Sequence, residues 1–252
     1  MQKKKPIRHS EKNIFATVTS RNNFSTILDN AKKRWHWLPS LLLLWYSCAQ
    51  PEPKPAGSSL PASVQQHQTS RLQQYDTVIF PALEKALQSG DVLLRLGTDI
   101  TSEMLRQMNQ TDKRYSHCGI VNIEQDTVFV YHAIGGEFNP DQRIKREPLY
   151  SFCHPSENKA AAIVRTGTTA TQQLQIGQQA KSLWAQGIPF DMAFDYQTDD
   201  RLYCAEMVSK AISHVLQDSS WFQFTRINNK TFVAVDNLSA SPLMRFIQQF
   251  SY

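Results

Sequence analysis

Apolar residues recur at a helical period between Gln65 and Gln88, at Leu72, Tyr75, Val78, Ile79, Leu83 and Leu87. That spacing predicts a helix, stopped by Ser89-Gly90. Asp91–Leu96 then gives a short, nearly continuous apolar run ending at Gly97, the pattern of a buried strand. Thr101–Asn109 reads as a short helix with Met104, Leu105 and Met108 inward. Two strands follow, His117–Ile123 and Asp126–Ala133, separated by Glu124-Gln125 alone. A tight hairpin is expected, with Ile123 opposite Asp126 and therefore His117 opposite His132. Gly135–Pro155 carries no period and reads as an irregular excursion. Ala160–Arg165 is a strand, and Thr171–Gln186 a helix stopped by Gly187. An Asp-rich loop opens at Ile188-Pro189-Phe190-Asp191. Tyr203–Val215 is a second clear helix, with Cys204, Val208, Ala211, Ile212 and Val215 on one face. Phe222–Ile227 and Thr231–Val235 are strands flanking an Asn228-Asn229 turn, and Pro242–Phe250 reads as a closing helix.

The 252 residues are 41% hydrophobic and 19% charged. This is globular composition, which excludes wholesale disorder, collagen and coiled coil. No apolar run reaches the about 20 residues of a spanning helix, so a multi-span membrane protein is excluded. The net charge of +5 is unevenly placed: residues 1–47 carry +7 and the rest −2. A slightly acidic body argues against nucleic-acid binding, which rests on Lys/Arg contacts to phosphate.

The basic segment has the layout of a secretory signal. Lys32-Lys33-Arg34 precedes a short apolar stretch through Leu41–Leu44, and Ser47 stands before Cys48. A small residue before a Cys resembles a bacterial lipoprotein box, in which that Cys receives the lipid. The alternating prolines Pro51, Pro53 and Pro55 make a stiff spacer. The expected organisation is a leader over 1–48 ending at the lipid-attachment site Cys48, a Pro-rich linker over 49–64, and a folded domain over 65–252. The protein would then be an envelope lipoprotein, tethered to a membrane through Cys48 and working outside the cytoplasm. The leader is long for such a signal, so the true start site stays open.

Three body residues suggest chemistry. Cys204 opens a helix, where unpaired N–H groups favour a thiolate and can hold an oxyanion. His117 begins a strand and can act as its base. His132, on the neighbouring strand and on the same face, can fix the tautomer of His117. Spacing alone leaves plainer readings open, a buried apolar Cys and a core His. Zinc held by His117, His132 and Cys204 lacks any close ligand pair to support it, so neither a metal nor a cofactor is expected. Cys118 alternates away from His117 and reads as packing, and Cys153 as incidental.

Five segments occur in order: Gly90-Asp91-Val92-Leu93-Leu94-Arg95, Tyr115-Ser116-His117-Cys118-Gly119-Ile120-Val121, Val130-Tyr131-His132-Ala133, Gly187-Ile188-Pro189-Phe190-Asp191 and Tyr203-Cys204-Ala205-Glu206-Met207-Val208. Over roughly residues 88–250 the chain resembles the YiiX/YebB-like (YaeF-type) group of permuted papain-like, NlpC-related cysteine hydrolases. The resemblance implies an α+β fold, a circularly permuted papain-like domain with an antiparallel sheet packed against helices. It implies Cys204 as nucleophile, His117 as base and His132 as the third polar residue. Ala205 departs from the Ser common in the group, and at the His132 position Glu also occurs. Tyr203, Asp191 and Glu206 belong to the motifs and are candidate substrate-binding residues, with capping or loop bracing the alternative for Asp191 and Glu206.

The expected function is an envelope-anchored cysteine hydrolase cleaving an amide or ester through a Cys204 thioester. Its candidate substrates are peptidoglycan peptides or acylated small molecules. An acyltransferase of the same fold, or a non-catalytic binding module in the papain-like groove, is the alternative.

Overall fold

The computed structural model describes residues 61–136, 139 and 141–252. The leader, Cys48 and most of the linker lie outside the described residues. A six-stranded sheet runs in the order β4-β3-β2-β1-β5-β8, with every neighbouring pair antiparallel. Its strands are β1 (Val92–Gly97), β2 (His117–Glu124), β3 (Thr127–His132), β4 (Lys145–Pro148), β5 (Asn158–Thr166) and β8 (Met244–Ser251). A small hairpin pairs β6 (Thr225–Ile227) with β7 (Lys230–Phe232). This is the expected antiparallel sheet packed against helices.

Helices cover both faces. On one face α5 (Ala170–Ala185) and α6 (Cys204–Leu216) pack on β2, burying Leu94, Cys118, Ile120, Ile176, Val208 and Ile212 in one core. On the other, the N-terminal helix and α4 (Leu149–Phe152) enclose Tyr75, Leu83, Leu93, Val121, Phe152 and Ile163. Strand β1 is buried on both faces, which explains its unbroken Val92-Leu93-Leu94 run.

The N-terminal helix starts at Ala62, inside the segment expected as linker. It runs as α1 (Ala62–Gln74), a π-helical turn (Tyr75–Ile79) and α2 (Phe80–Ala86). Tyr75, Ile79, Leu83 and Leu87 are buried, whereas Leu72 and Val78, expected inward, are exposed. The buried set repeats every four residues, longer than the 3.6 of an α-helix. The wider π turn absorbs the difference. Helix α3 (Ile100–Gln107) also departs from expectation, since Met104, expected inward, is 68% exposed.

The β2–β3 hairpin turns one position later than expected. Gln125 and Asp126 form the loop, both in the left-handed region, and Glu124 pairs with Thr127. The register therefore moves by two residues, so Tyr131 faces Ile120. A shift of two preserves which face each side chain occupies. The excursion expected over Gly135–Pro155 contains β4 and α4.

The closing helix expected over Pro242–Phe250 is the edge strand β8. Strand β5 would otherwise leave unpaired N–H and C=O groups against the core. The register skips between Ile163 and Val164, leaving Ile247 as an extra residue. Such a bulge breaks the alternation, so Phe246 joins one core and Phe250 the other. The result mimics a helical period. A short helix α7 (Val235–Ser239) precedes it.

The buried carboxylate of Asp91 ties three segments together. It accepts from Arg165 Nε and Nη2 at 2.7 Å each, from Gln173 Nε2 at 3.1 Å and from the Gln88 N–H at 2.8 Å.

Candidate active site

Tyr203 stands extended at the N-cap of α6, so Cys204 is the first helical residue. The side chain is nearly buried, at 7% exposure. The Ala205 N–H is directed at the sulfur, as the free donors of a first helical turn are. Opposite lies the start of β2. His117 lies close enough to the Cys204 thiol to favour its ionised form, and Cys118, on the neighbouring face, acts on it in the same direction.

From His117 a row of side chains runs across the sheet. His117 Nε2 lies 2.9 Å from His132 Nδ1, and His132 Nε2 lies 3.1 Å from Glu147 Oε2. Three neighbouring strands, β2, β3 and β4, each supply one member. In the observed register Gly119 stands in the row of His132, two positions on from His117. A Cβ at Gly119 would meet His132 Cβ at 3.0 Å and Val130 Cγ1 at 2.7 Å. The absent side chain leaves room for the imidazole to lean toward His117. Phe152 supports both rings, with centroids 5.8 Å from His117 and 4.9 Å from His132. Arg95 also stacks on this ring, 4.5 Å from its centre, and donates to the Phe152 carbonyl at 2.9 Å.

The electrostatics follow from burial. Burial lowers His117 to about 4, against the pull of the Cys204 hydrogen bond. Burial likewise lowers His132 to about 4, against the pull of Glu147. Both imidazoles are neutral at pH 7. Burial pushes Glu147 up, but the hydrogen bond from His132 together with the nearby Arg95 and Lys145 charges outweighs it, and the carboxylate sits below its ordinary range. The Cys118 hydrogen bond pulls Cys204 well below the usual thiol range, with His117 adding to it against burial. Cys118 itself is pushed up by burial and stays a thiol.

Cys204 and His117 both line a cavity of about 580 Å³. Ala133, Ile134, Phe190, Met192, Phe194 and Leu105 supply its apolar walls. A second cavity, of about 610 Å³ and lined by Lys210, His214 and Asp199, touches neither Cys204 nor His117.

Residues 86–238 match the model of a family described as permuted papain-like amidase enzyme, YaeF/YiiX, C92 family. The chain belongs to this family. The crystal structure of metalloprotein yiiX from Escherichia coli O157:H7 aligns with a TM-score of 0.53 at 20% identity, over 66% of this chain and 98% of that chain. At this identity the likeness shows the fold. No curated protein matches the chain. The YaeF/YiiX fold is permuted in the expected sense, with the His-bearing β2 ahead of the Cys-bearing α6.

Within this YaeF/YiiX domain the sequence candidates separate. Cys204, His117 and His132 come together. Tyr203, Asp191 and Glu206, the candidate substrate binders, do not line the groove. The buried Tyr203 hydroxyl accepts from the Val233 N–H at 2.8 Å. Asp191 accepts from the N–H groups of Ala193 and Asp195 at 2.8 and 2.6 Å. Glu206 is fully buried, accepts from the Tyr203 N–H at 3.2 Å and pairs with Lys210 at 2.9 Å. Burial raises its carboxyl to about 7, against the pull of Lys210. All three brace the loop and helix that present Cys204 and the Phe190-Asp191-Met192 wall.

Two site residues were not legible. Glu147 lies in Lys145-Arg146-Glu147-Pro148, a charged segment with no apolar alternation. Charges and proline are what an exposed sheet edge carries, and that is the one signal available. Cys118 was read as packing because strand alternation turns it from His117. The first turn of α6 comes down over the strand end and meets both.

Proposed function

We propose that this YaeF/YiiX-family chain is an envelope-anchored cysteine hydrolase that cleaves an amide or ester through a thioester on Cys204. The observation that carries the reading is the directional row from Cys204 to Glu147. Glu147 is an acceptor, so His132 Nε2 carries the hydrogen and His132 Nδ1 is free to accept. His117 Nε2 is therefore the donor to it, and His117 Nδ1 is left with a lone pair for the thiol. One tautomer satisfies every contact.

In the proposed reaction His117 takes the thiol proton as Cys204 attacks the carbonyl carbon. The oxyanion forms against the free N–H groups of the first α6 turn, Ala205 among them. The C–N bond then breaks, and His117 returns the proton to the departing amine. Water attacks the thioester, losing its proton to His117. The C–S bond breaks, and the proton returns to Cys204 as the carboxylic product leaves.

The yiiX structure is of a metalloprotein. The residues here do not fit a metal at this site. Both His132 ring nitrogens and His117 Nε2 are bonded within the row. Among the described residues no group of three or more His, Cys, Asp or Glu is disposed to hold an ion. The envelope assignment rests on the signal layout and Cys48. Labelling with a lipid precursor, lost in Cys48→Ser, tests it.

Site-resolved thiol alkylation, read by mass spectrometry from pH 4 to 9, tests the pair. Cys204 is expected to react fast near neutral pH and to lose that in His117→Ala. Burial raises Cys153 to about 12, so it serves as the inert comparator. Cys204 reacting no faster than Cys153 refutes the reading.

A further inference from the structure

We infer that Arg95 binds a carboxylate on the amine half of the substrate, which makes the substrate an N-acyl amino acid or a peptide cut before its C-terminal residue. The inference rests on the hydrolase reading for its chemistry and on Arg95 for its specificity. Arg95 is the one arginine or lysine among the described residues that line the Cys204 cavity. It stands directly opposite His117 in the β1–β2 ladder. Residues so paired share a face of the sheet, with Cβ atoms about 5 Å apart. In the proposed reaction His117 returns its proton to the departing amine, so Arg95 adjoins the leaving side of the site. The carbonyl oxygen lies on the other side, against the first turn of α6.

The guanidinium is held in place but not neutralised. It stacks on Phe152, and its Nη1 donates to the Phe152 carbonyl at 2.9 Å. Nε and Nη2, the N–H groups along its other edge, have no hydrogen-bond partner among the described residues. That edge is a fork able to take both oxygens of a carboxylate. Three acids act on Arg95 through space, and each is engaged elsewhere or solvated. Asp99 caps α3, accepting from the Ser102 N–H at 2.8 Å and its hydroxyl at 2.7 Å. Glu147 is bonded to His132 at 3.1 Å, and Glu157 is exposed. A half-buried cation that has given up water without gaining an ion pair is unfavourable. A substrate carboxylate would offset that loss, and a neutral amine half would not.

The test uses matched probes: the acetyl, hexanoyl and benzoyl amides of glycine and alanine, and Ala-Ala-Ala, each as free acid and as C-terminal carboxamide. Chromatography of the released amino acid, or amino-acid amide, gives kcat/KM. The acid is expected to exceed its carboxamide by about ten- to a hundredfold, the range of hydrogen bonds to a charged group. Arg95→Met is expected to bring the ratio to about one. Arg95→Lys keeps the charge without the fork and is expected to retain part of the ratio, which keeps the test open should Arg95→Met fail to fold. A merely structural arginine would lower both members of a pair equally and leave the ratio unchanged. Calorimetric binding to Cys204→Ala is expected to show the same preference for the acid, lost when Arg95→Met is added. Cys204-dependent turnover with a wild-type ratio near one, or a ratio that survives both Arg95 variants, overturns the carboxylate assignment and leaves the hydrolase reading standing. Acid-selective, Arg95-dependent binding without turnover or thioester supports the assignment and overturns the hydrolase reading. Absence of both binding and turnover for every acid probe overturns the assignment.

Discussion

Neither ring nitrogen of His132 is free, and this decides what its loss would do. His117 would keep its contact with Cys204 but lose the acceptor that fixes its tautomer. His132→Ala is therefore expected to lower kcat/KM by roughly a hundredfold, within the range of acid–base effects. Glu147→Gln keeps an acceptor oxygen but removes the charge, so the loss should be smaller, about tenfold. A larger loss for Glu147→Gln than for His132→Ala would break the proposed order of the row. Cys118 is the largest influence lowering the Cys204 thiol, so Cys118→Ala should move the pH midpoint of Cys204 alkylation upward. An unchanged midpoint would make Cys118 a packing residue after all. Cys204 was legible because a helix start is visible in a periodic pattern. His117 and His132 were legible through strand parity, which survives a register error of two. Glu147 was not, because its partner is chosen by pairing across strands.

At the scale of elements, long periodic segments such as α5 and α6 were readable because each buries one continuous face. The failures share a cause. Strands β4 and β8 are the two edges of the sheet, held by backbone pairing more than by an apolar face of their own. The π turn and the β8 bulge each shift the phase of a hydrophobic pattern, and a single period cannot follow that. The Asp91 cluster offers an element-level test. It joins β1, β5 and α5 through one buried carboxylate. Asp91→Ala leaves Arg165 without its partner, and the expected cost is about 3 kcal/mol. Urea denaturation should show a lower midpoint with an unchanged slope. A shift well under 1 kcal/mol would show that Arg165 finds water instead.

For the whole molecule, the buried titrating groups set a pH dependence whose sign can be worked out. His117 and His132 are lowered to about 4, so between pH 4 and 6.5 the unfolded chain binds two protons that the fold refuses. Their contribution is intact above pH 6.5 and is lost as pH falls through that window. Glu206 is raised to about 7 and works the other way. The fold holds its proton where the unfolded chain has released it, so its contribution is lost as pH rises from 4.5 through 7. Cys204 and Glu147, both held below their ordinary ranges, act in the same direction as the imidazoles where they titrate, so between pH 4.5 and 6.5 stability should rise with pH. Glu206→Gln should steepen that rise. Chemical denaturation at several pH values measures both slopes, and a flat wild-type profile would show that the two imidazoles are not held neutral.

The turn at Gln125-Asp126 is remote in the chain from Cys204, yet it meters the site. It sets how far β3 slides along β2, and so whether His132 arrives beside His117 or on the opposite face of the sheet. A one-residue slip of β3 would turn the imidazole out of the row and at the same stroke move Val130 and Tyr131 out of the cores they fill. The packing that stabilises the sheet therefore also guards the alignment of the site, and a wrong register is penalised before it can be inactive.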